Sequence, residues 1–123
     1  MNMNGPSPRI RAFDGAVSEA VGLLGADDPA AALAALRRAH VLGQRDFGRH
    51  LHVHWLMLRV AWKLGDAREV VGQLWRLLLV PLGHLSGRLP EGNPGTADVS
   101  AFAPRAVPAE LAALLGKDTG NAG

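Results

Sequence analysis

The sequence contains no cysteine, and this absence excludes several classes of protein. Disulfides, thiolate metal sites and cysteine nucleophiles all need the missing thiol, so cysteine-type zinc fingers and iron–sulfur proteins are ruled out. Long hydrophobic runs are missing as well. The uncharged apolar runs, such as Leu77 to Leu82, are far shorter than the roughly 20 residues that a membrane-spanning helix needs. Because the polar N-terminus also lacks the apolar core of a secretory signal, we expect a cytoplasmic protein without a membrane span.

Lysine is scarce too: eleven of the 13 basic residues are arginine, and the formal net charge is only +2. The basic stretch over residues 37–63 lacks the interleaved aromatic residues or recognition helix of a nucleic-acid-binding protein, so we expect no nucleic-acid partner. Apolar residues make up 48% of the 123 residues, which is enough for one hydrophobic core. The prediction is a single helical domain over residues 8–116, with a disordered segment (1–7) before it and a mobile tail (117–123) after it.

The first two helices are marked by their start and stop signals. Ser7-Pro8 and Asp28-Pro29 each place a capping side chain before a proline, which is typical of helix N-termini. Apolar residues at three- and four-residue intervals carry the two helices to about Gly25 and Gly43. Short connections predict that consecutive helices pack as antiparallel neighbours.

Two further main helices follow. The third is predicted from about Arg49 to Leu64, and the fourth begins at the capping box of Asp66 and Glu69. Pro81 is expected to end or kink the fourth helix near residue 80. We predict an all-α fold: four main antiparallel helices that include a tetratricopeptide-like hairpin, a Gly/Pro-rich C-terminal loop cap over residues 81–108, and a short final helix. Four large side chains are expected in the core, namely Met57, Trp55, Trp62 and Trp75.

Histidine is the residue type that points to chemistry. His50 and His54 share one face of the third helix, at a spacing that lets both imidazoles reach one metal ion, whereas His52 falls on the charged face. His40 lies one turn before the end of the second helix, and His84 follows the fourth. Antiparallel packing brings these stretches to one end of the bundle, so we predict a transition-metal site with four ligands: His40, His50, His54 and His84.

Neutral imidazole suits zinc, copper and iron, of which zinc is the first choice. Metal-bound histidines need an acceptor for their second ring proton, and the candidates at this end of the bundle are Asp14, Gln44 and Asp46. With three ligands and an open fourth position, the ion could support hydrolytic or lyase chemistry. With four ligands, a structural, storage or sensing role is favoured.

Two alternatives stay open at this point. The loop residues Arg88 and Asn93 could grip a substrate or form a phosphate-binding nest, although a loop that clamps the mouth of the bundle is the favoured interpretation. The competing function is a non-catalytic interaction module. Such a module would hold an acidic protein partner on the tetratricopeptide-like groove and on the arginine surface of Arg37, Arg38, Arg45 and Arg49.

A family resemblance supports the histidine site. Three segments, AHVLGQ (39–44), the H-x-x-x-H motif (50–54) and LGHLSGRLPEGNPGTADVSAFAP (82–104), resemble a bacterial family of small proteins known as domain of unknown function 3703. The likeness spans roughly residues 30–112. The family has Asn-Thr followed by two glycines where this chain has Asn93-Pro94-Gly95-Thr96. The resemblance implies five positions of interest and no established activity: His40, Gln44, His50, His54 and His84.

Overall fold

The computed structural model describes residues 5–86, 94–96 and 106–119. Within these ranges the chain forms helices and no strand, which confirms the predicted all-α class. The helices are α1 (Pro8–Gly25), α2 (Pro29–Gly43), α3 (Phe47–Leu64), α4 (Ala67–Ser86) and α5 (Ala109–Thr119). Consecutive helices among α1 to α4 pack against one another, and α5 packs on α1 and α2.

The predicted capping residues occupy the helix ends. The Ser7 hydroxyl accepts a hydrogen bond from the Ile10 amide at 3.3 Å, and the Asp28 carboxylate accepts one from the Ala31 amide at 3.2 Å. Gly65 ends α3 in the left-handed conformation, with φ of 69°, a region that glycine enters without steric cost. These local signals position the helices because each satisfies backbone groups that a helix terminus leaves unpaired.

Two helix boundaries differ from the sequence prediction. Helix α3 begins at Phe47, two residues early, because Asp46 already has the extended conformation of an N-cap. Helix α4 does not end near residue 80 but continues through Pro81 to Ser86. A proline inside a helix removes one backbone hydrogen bond. The extra turn is held by His84, whose ring packs on Phe47 with centroids 5.4 Å apart.

The hydrophobic core lies between α1, α2 and α3 and is closed by Leu111 and Leu115 of α5. Leu36 and Met57 are fully buried in it, and Met57 is thus placed as predicted. At the turn end of α2 the helices approach so closely that a Cβ atom on Gly43 would lie 2.5 Å from the Phe13 ring. Glycine at position 43 is therefore needed for α1 to pack against the α2–α3 turn, beside the histidines.

The three tryptophans are not packing anchors, which corrects the expectation from sequence. Trp55, Trp62 and Trp75 are 52%, 77% and 60% exposed. Helix α4 explains part of the difference, because the side chains that it buries are mainly polar: Glu69, Gln73, Arg76 and Val80. Its polar face turns inward, so its large apolar side chains face outward.

No helix in the described ranges has both the length and the hydropathy needed to cross a membrane.

Candidate metal centre

Four histidines converge from three helices at the end of the bundle where α2 turns into α3. His40 comes from the last turn of α2, and His50 and His54 lie on the inward face of the first half of α3. All three are buried, with at most 6% of each residue exposed. His84 comes from the last turn of α4 and is half-buried. The predicted convergence is therefore found in the structure.

The Nε2 atoms of three of these rings face one another. His40 Nε2 lies 3.1 Å from His50 Nε2 and 3.1 Å from His54 Nε2. The ring centroids are 4.8 to 5.0 Å apart. Two imidazole nitrogens bound to one tetrahedral zinc ion at 2.0–2.1 Å are separated by about 3.3 Å. The distances from His40 Nε2 to the other two nitrogens are thus close to the distance that a shared ion requires, and all three nitrogens lie within 4.8 Å of one another.

Gln73 of α4 fixes which nitrogen of His54 carries the proton. Its amide nitrogen donates to the Glu69 carboxylate at 2.8 Å and to the Gly95 carbonyl at 2.9 Å, two groups that only accept. The amide oxygen must therefore face His54, whose Nδ1 lies 2.7 Å away and donates to it. With its proton on Nδ1, neutral His54 presents a lone pair on Nε2 to the cluster.

The tripeptide 94–96 covers the cluster. A Cβ atom on Gly95, whose φ is +85°, would lie 2.5 Å from Cδ2 of His40 and 2.9 Å from its Nε2. Arg76 holds the next residue by donating to the Thr96 carbonyl at 3.0 Å. Gly95 and Thr96 are both buried. The backbone of this segment thus lies directly on the His40 ring, where a larger residue has no room.

His84 contacts the cluster from its outer side. Its Nε2 lies 3.0 Å from His50 Nδ1, which is the nitrogen turned away from His40 and His54. If His50 offers the Nε2 lone pair to an ion, its Nδ1 carries the proton and donates to His84. This geometry makes His84 a hydrogen-bonding partner of His50, and its role as a fourth metal ligand stays a prediction.

The surroundings of His50 and His54 favour the neutral form of both rings. Burial, and after it the neighbouring His54 and His84 rings, lowers the pKa of His50 from 6.5 to about 3. Burial also lowers the pKa of His54 to about 4, with a smaller lowering from the Arg76 cation and an opposing effect of the Gln73 hydrogen bond. Neutral imidazole is the form that binds a metal ion, so both rings are ready to bind at neutral pH.

The remaining predicted site residues lie around the cluster in different ways. His52 is exposed, as expected, and Asp14 is exposed on α1. Gln44 is buried at the end of α2. The carboxylate of Asp46 is engaged by arginines, with Arg9 at 3.1 Å and Arg49 at 3.5 Å. The roles of Asp14, Gln44 and Asp46 as acceptors for metal-bound histidines stay predictions. Arg88 and Asn93 lie outside the described residues.

The sequence interpretation missed the polar side chains of α4 that support the cluster: Glu69, Gln73 and Arg76. A signal for them existed. They recur at four- and three-residue intervals among leucines and valines, and this spacing places them on one helix face. A polar stripe in an otherwise apolar helix indicates either the solvent face or a buried polar site. Only the packing of α4 decides between the two.

The donor set fits a transition-metal ion. His40, His50 and His54 each offer one ring nitrogen, and these nitrogens lie within 4.8 Å of one another. Because the proton of His54 lies on Nδ1, its Nε2 lone pair points into the cluster, and each of the two close Nε2 pairs has room for only one proton between its nitrogens. Zinc and related transition metals bind buried imidazoles whose second ring nitrogen, which faces away from the ion, is hydrogen-bonded to another group.

The comparisons with known proteins identify a family. The model of one family, described as a protein of unknown function (DUF3703), matches residues 9–115. The matched range includes the four converging histidines as well as Gln73 and Gly95. No curated protein and no solved structure matches the chain.

Proposed function

The chain belongs to the DUF3703 family, and from the geometry of its histidine cluster we propose that it binds one transition-metal ion through Nε2 of His40, His50 and His54. One observation carries this proposal. His40 Nε2 lies 3.1 Å from Nε2 of both His50 and His54, while Gln73 holds the proton of His54 on the opposite ring nitrogen. The lone pair is therefore directed into the cluster, where a cation would meet it.

Zinc is the first choice for the ion, with copper and iron next. All three metals accept neutral imidazole, and the chain offers no thiolate that would favour a softer ion. A site with three protein ligands leaves a coordination position for water or a small ligand, as in catalytic zinc sites. Such an ion can polarise a carbonyl group or lower the pKa of a bound water molecule.

The chain's own residues would position and shield the ion. Gln73 and His84 orient His54 and His50 through their Nδ1 atoms. The backbone of Gly95 covers His40 and limits the access of water from that side. The position of His84 favours three ligands over four, and hence a site that can exchange a ligand.

The test is metal analysis of protein purified without a metal-affinity tag. We expect close to one zinc, copper or iron ion per chain, and titration of the metal-free protein with zinc should show one tight site. The double substitution His50→Ala and His54→Ala should abolish binding. Substitution of His52→Ala should leave binding unchanged, because this ring is exposed on the other face of the same helix.

A conservative variant separates loss of the ligand from loss of the fold. In His54→Asn the side-chain amide can still donate to Gln73, but the nitrogen that faces His40 is gone. We expect a helical spectrum and a thermal transition close to those of the unchanged protein, with metal binding weakened at least tenfold. A metal-free wild-type protein that also fails to bind zinc in titration would overturn the proposal.

The competing function is an interaction module, and one observation favours it. An apolar groove of about 730 Å³ lies between α1, α3 and α4 and is lined by residues such as Trp55, Trp62 and Leu74.

The arginine surface predicted for this module is partly engaged within the chain, since Arg38 pairs with Glu19 at 2.8 Å. The tetratricopeptide-like arrangement and the cytoplasmic location stay predictions. Absence of metal together with salt-sensitive capture of an acidic protein would favour this alternative.

A further inference from the structure

Helix α4 presents an unusual distribution of side chains: its polar residues are inside and its apolar residues outside. Glu69, Gln73 and Arg76 are buried against the histidine cluster and the 94–96 segment. On the opposite side, six large apolar side chains are between 50% and 85% exposed. They form what we call the α4 stripe: Val71, Leu74, Trp75, Leu78, Leu82 and Leu85.

The α4 stripe has the periodicity of a helix-pairing seam. Val71, Leu78 and Leu85 recur every seven residues, and Trp75 and Leu82 are also seven apart. Seven-residue spacing keeps apolar side chains aligned along one side of a helix, where the same side of another helix can pack against them. A helix of a monomeric protein normally turns this side toward its own core, but α4 turns it outward.

Five of the six stripe residues are arranged symmetrically about Leu78. Val71 and Leu85 lie seven residues before and after it, and Leu74 and Leu82 lie four residues before and after it. When two copies of α4 pack antiparallel about a two-fold axis at Leu78, Val71 of one copy faces Leu85 of the other, and Leu74 faces Leu82. A self-complementary surface of this kind is what a two-fold dimer requires.

The size of the stripe is sufficient for a stable interface. At ~100–150 Å² of exposed surface for each of the six side chains, the stripe offers on the order of 700 Å² per copy, close to the ~800 Å² per partner of a standard interface. Exposed apolar patches of this size mark interaction sites. The stripe therefore supplies most of the area that a two-fold dimer of standard size buries.

The charges on α4 favour a protein partner over a lipid surface. Arg76 is buried, and Arg68 in the first turn is the exposed cation of this helix. Helices that lie on membranes carry several lysines or arginines beside their apolar face, which attract anionic lipids. From the outward apolar face, its symmetry and its area, we propose that a second copy of this chain packs on the α4 stripe as an antiparallel, two-fold dimer.

The mass of the full chain in solution tests the proposal. Sedimentation or light scattering at tens of micromolar should give twice the chain mass of 13.0 kDa. Leu78→Glu places two carboxylates together at the two-fold axis and should return the monomer mass, with the helical spectrum retained. Mixing this variant with Leu78→Arg should restore a dimer, since opposite charges then meet at the axis.

A matched pair of valines provides the control. Val71→Glu changes a stripe residue that is 54% exposed, and Val21→Glu changes a residue of α1 that is 51% exposed. The first should weaken dimerisation at least tenfold, and the second should leave the dimer unchanged. Equal effects of the two substitutions would contradict an interface on α4.

Cross-linking gives an independent readout, because the chain has no cysteine of its own. Leu78→Cys treated with a short bismaleimide should form a covalent dimer, and Val21→Cys should not. A wild-type chain that stays monomeric at 100 µM overturns the proposal. Sedimentation of that monomer with vesicles of anionic lipid would assign the stripe to a membrane surface instead.

Discussion

One amide group, that of Gln73, determines which ring nitrogen of His54 carries the proton. It is completely buried, and both of its donated hydrogen bonds go to oxygen atoms that cannot donate in return. Its oxygen is left to accept from His54. The proton on His54 is thereby assigned to Nδ1, and the opposite nitrogen is free to bind a cation. A residue outside the three-histidine cluster thus controls whether the Nε2 lone pair of His54 is available to a cation.

A substitution of Gln73 should therefore change the affinity for a metal ion indirectly, through the orientation of His54. We expect Gln73→Met to weaken zinc binding about 10- to 100-fold, the range seen when an outer hydrogen-bond partner of a metal-bound histidine is lost. Competition with a chelating dye would measure this change. Leu74→Met, which alters the next and half-exposed side chain of α4, should retain the affinity of the unchanged protein.

The positions of the histidines could be predicted from the sequence, whereas the side chains that hydrogen-bond to them could not. The spacing of His50 and His54 and the short turn after His40 place the three rings together through helix geometry alone. Gln73 and Glu69 could not be assigned in this way, because their role depends on which face of α4 packs inward. Hydrophobic periodicity favours the apolar face of α4, and the structure buries the polar one.

At the scale of elements, the sequence predicts helix ends well where a side chain or a glycine acts locally. Ser7, Asp28 and Gly65 end or begin helices as expected, because each satisfies the backbone next to it. The continuation of α4 past Pro81 has a long-range cause that local signals do not contain. The last turn brings His84 to His50 at 3.0 Å, and this contact helps to offset the lost backbone hydrogen bond.

The 94–96 segment is the element most sensitive to the size of one residue. Gly95→Ala would place a methyl group against the His40 ring and also impose a left-handed conformation on alanine. We expect a loss of at least tenfold in zinc affinity together with about 1–2 kcal/mol of stability. Zinc titration and thermal unfolding would measure the two effects separately.

Gly65→Ala is the matched control for this substitution. Gly65 also has a positive φ, 69°, but nothing lies within 4 Å of the position of its Cβ. It should therefore lose stability through backbone conformation alone, about 1 kcal/mol, while binding zinc as tightly as before. An equal loss of zinc affinity in both variants would show that contact with His40 is not the cause.

At the scale of the whole molecule, the buried histidines couple stability to pH. In the folded protein the pKa of His50 is lowered to about 3 and that of His54 to about 4, whereas both titrate near 6.5 in the unfolded chain. Between these limits the unfolded state binds more protons than the folded state. The free energy of unfolding must therefore fall as the pH falls from about 7 to about 4.

Denaturant titrations of the metal-free protein at several pH values between 7 and 4 would measure this dependence. Each of the two groups is expected to contribute a loss on the order of 3 kcal/mol by the acid end of the window. In His54→Asn the loss should be clearly smaller, because one of the two titrating rings is absent. Parallel curves for the two proteins would mean that His54 does not remain neutral in the folded state.

The absence of thiols gives the histidine cluster a property that a cysteine site lacks. Peroxide converts thiolates to sulfenic acids and beyond, and a cysteine ligand altered in this way no longer holds its metal. The rings of His40, His50 and His54 offer only nitrogen, which this oxidation does not touch. A zinc centre of this composition would have no ligand that thiol oxidation could remove, so that its occupancy would follow acidity and zinc supply.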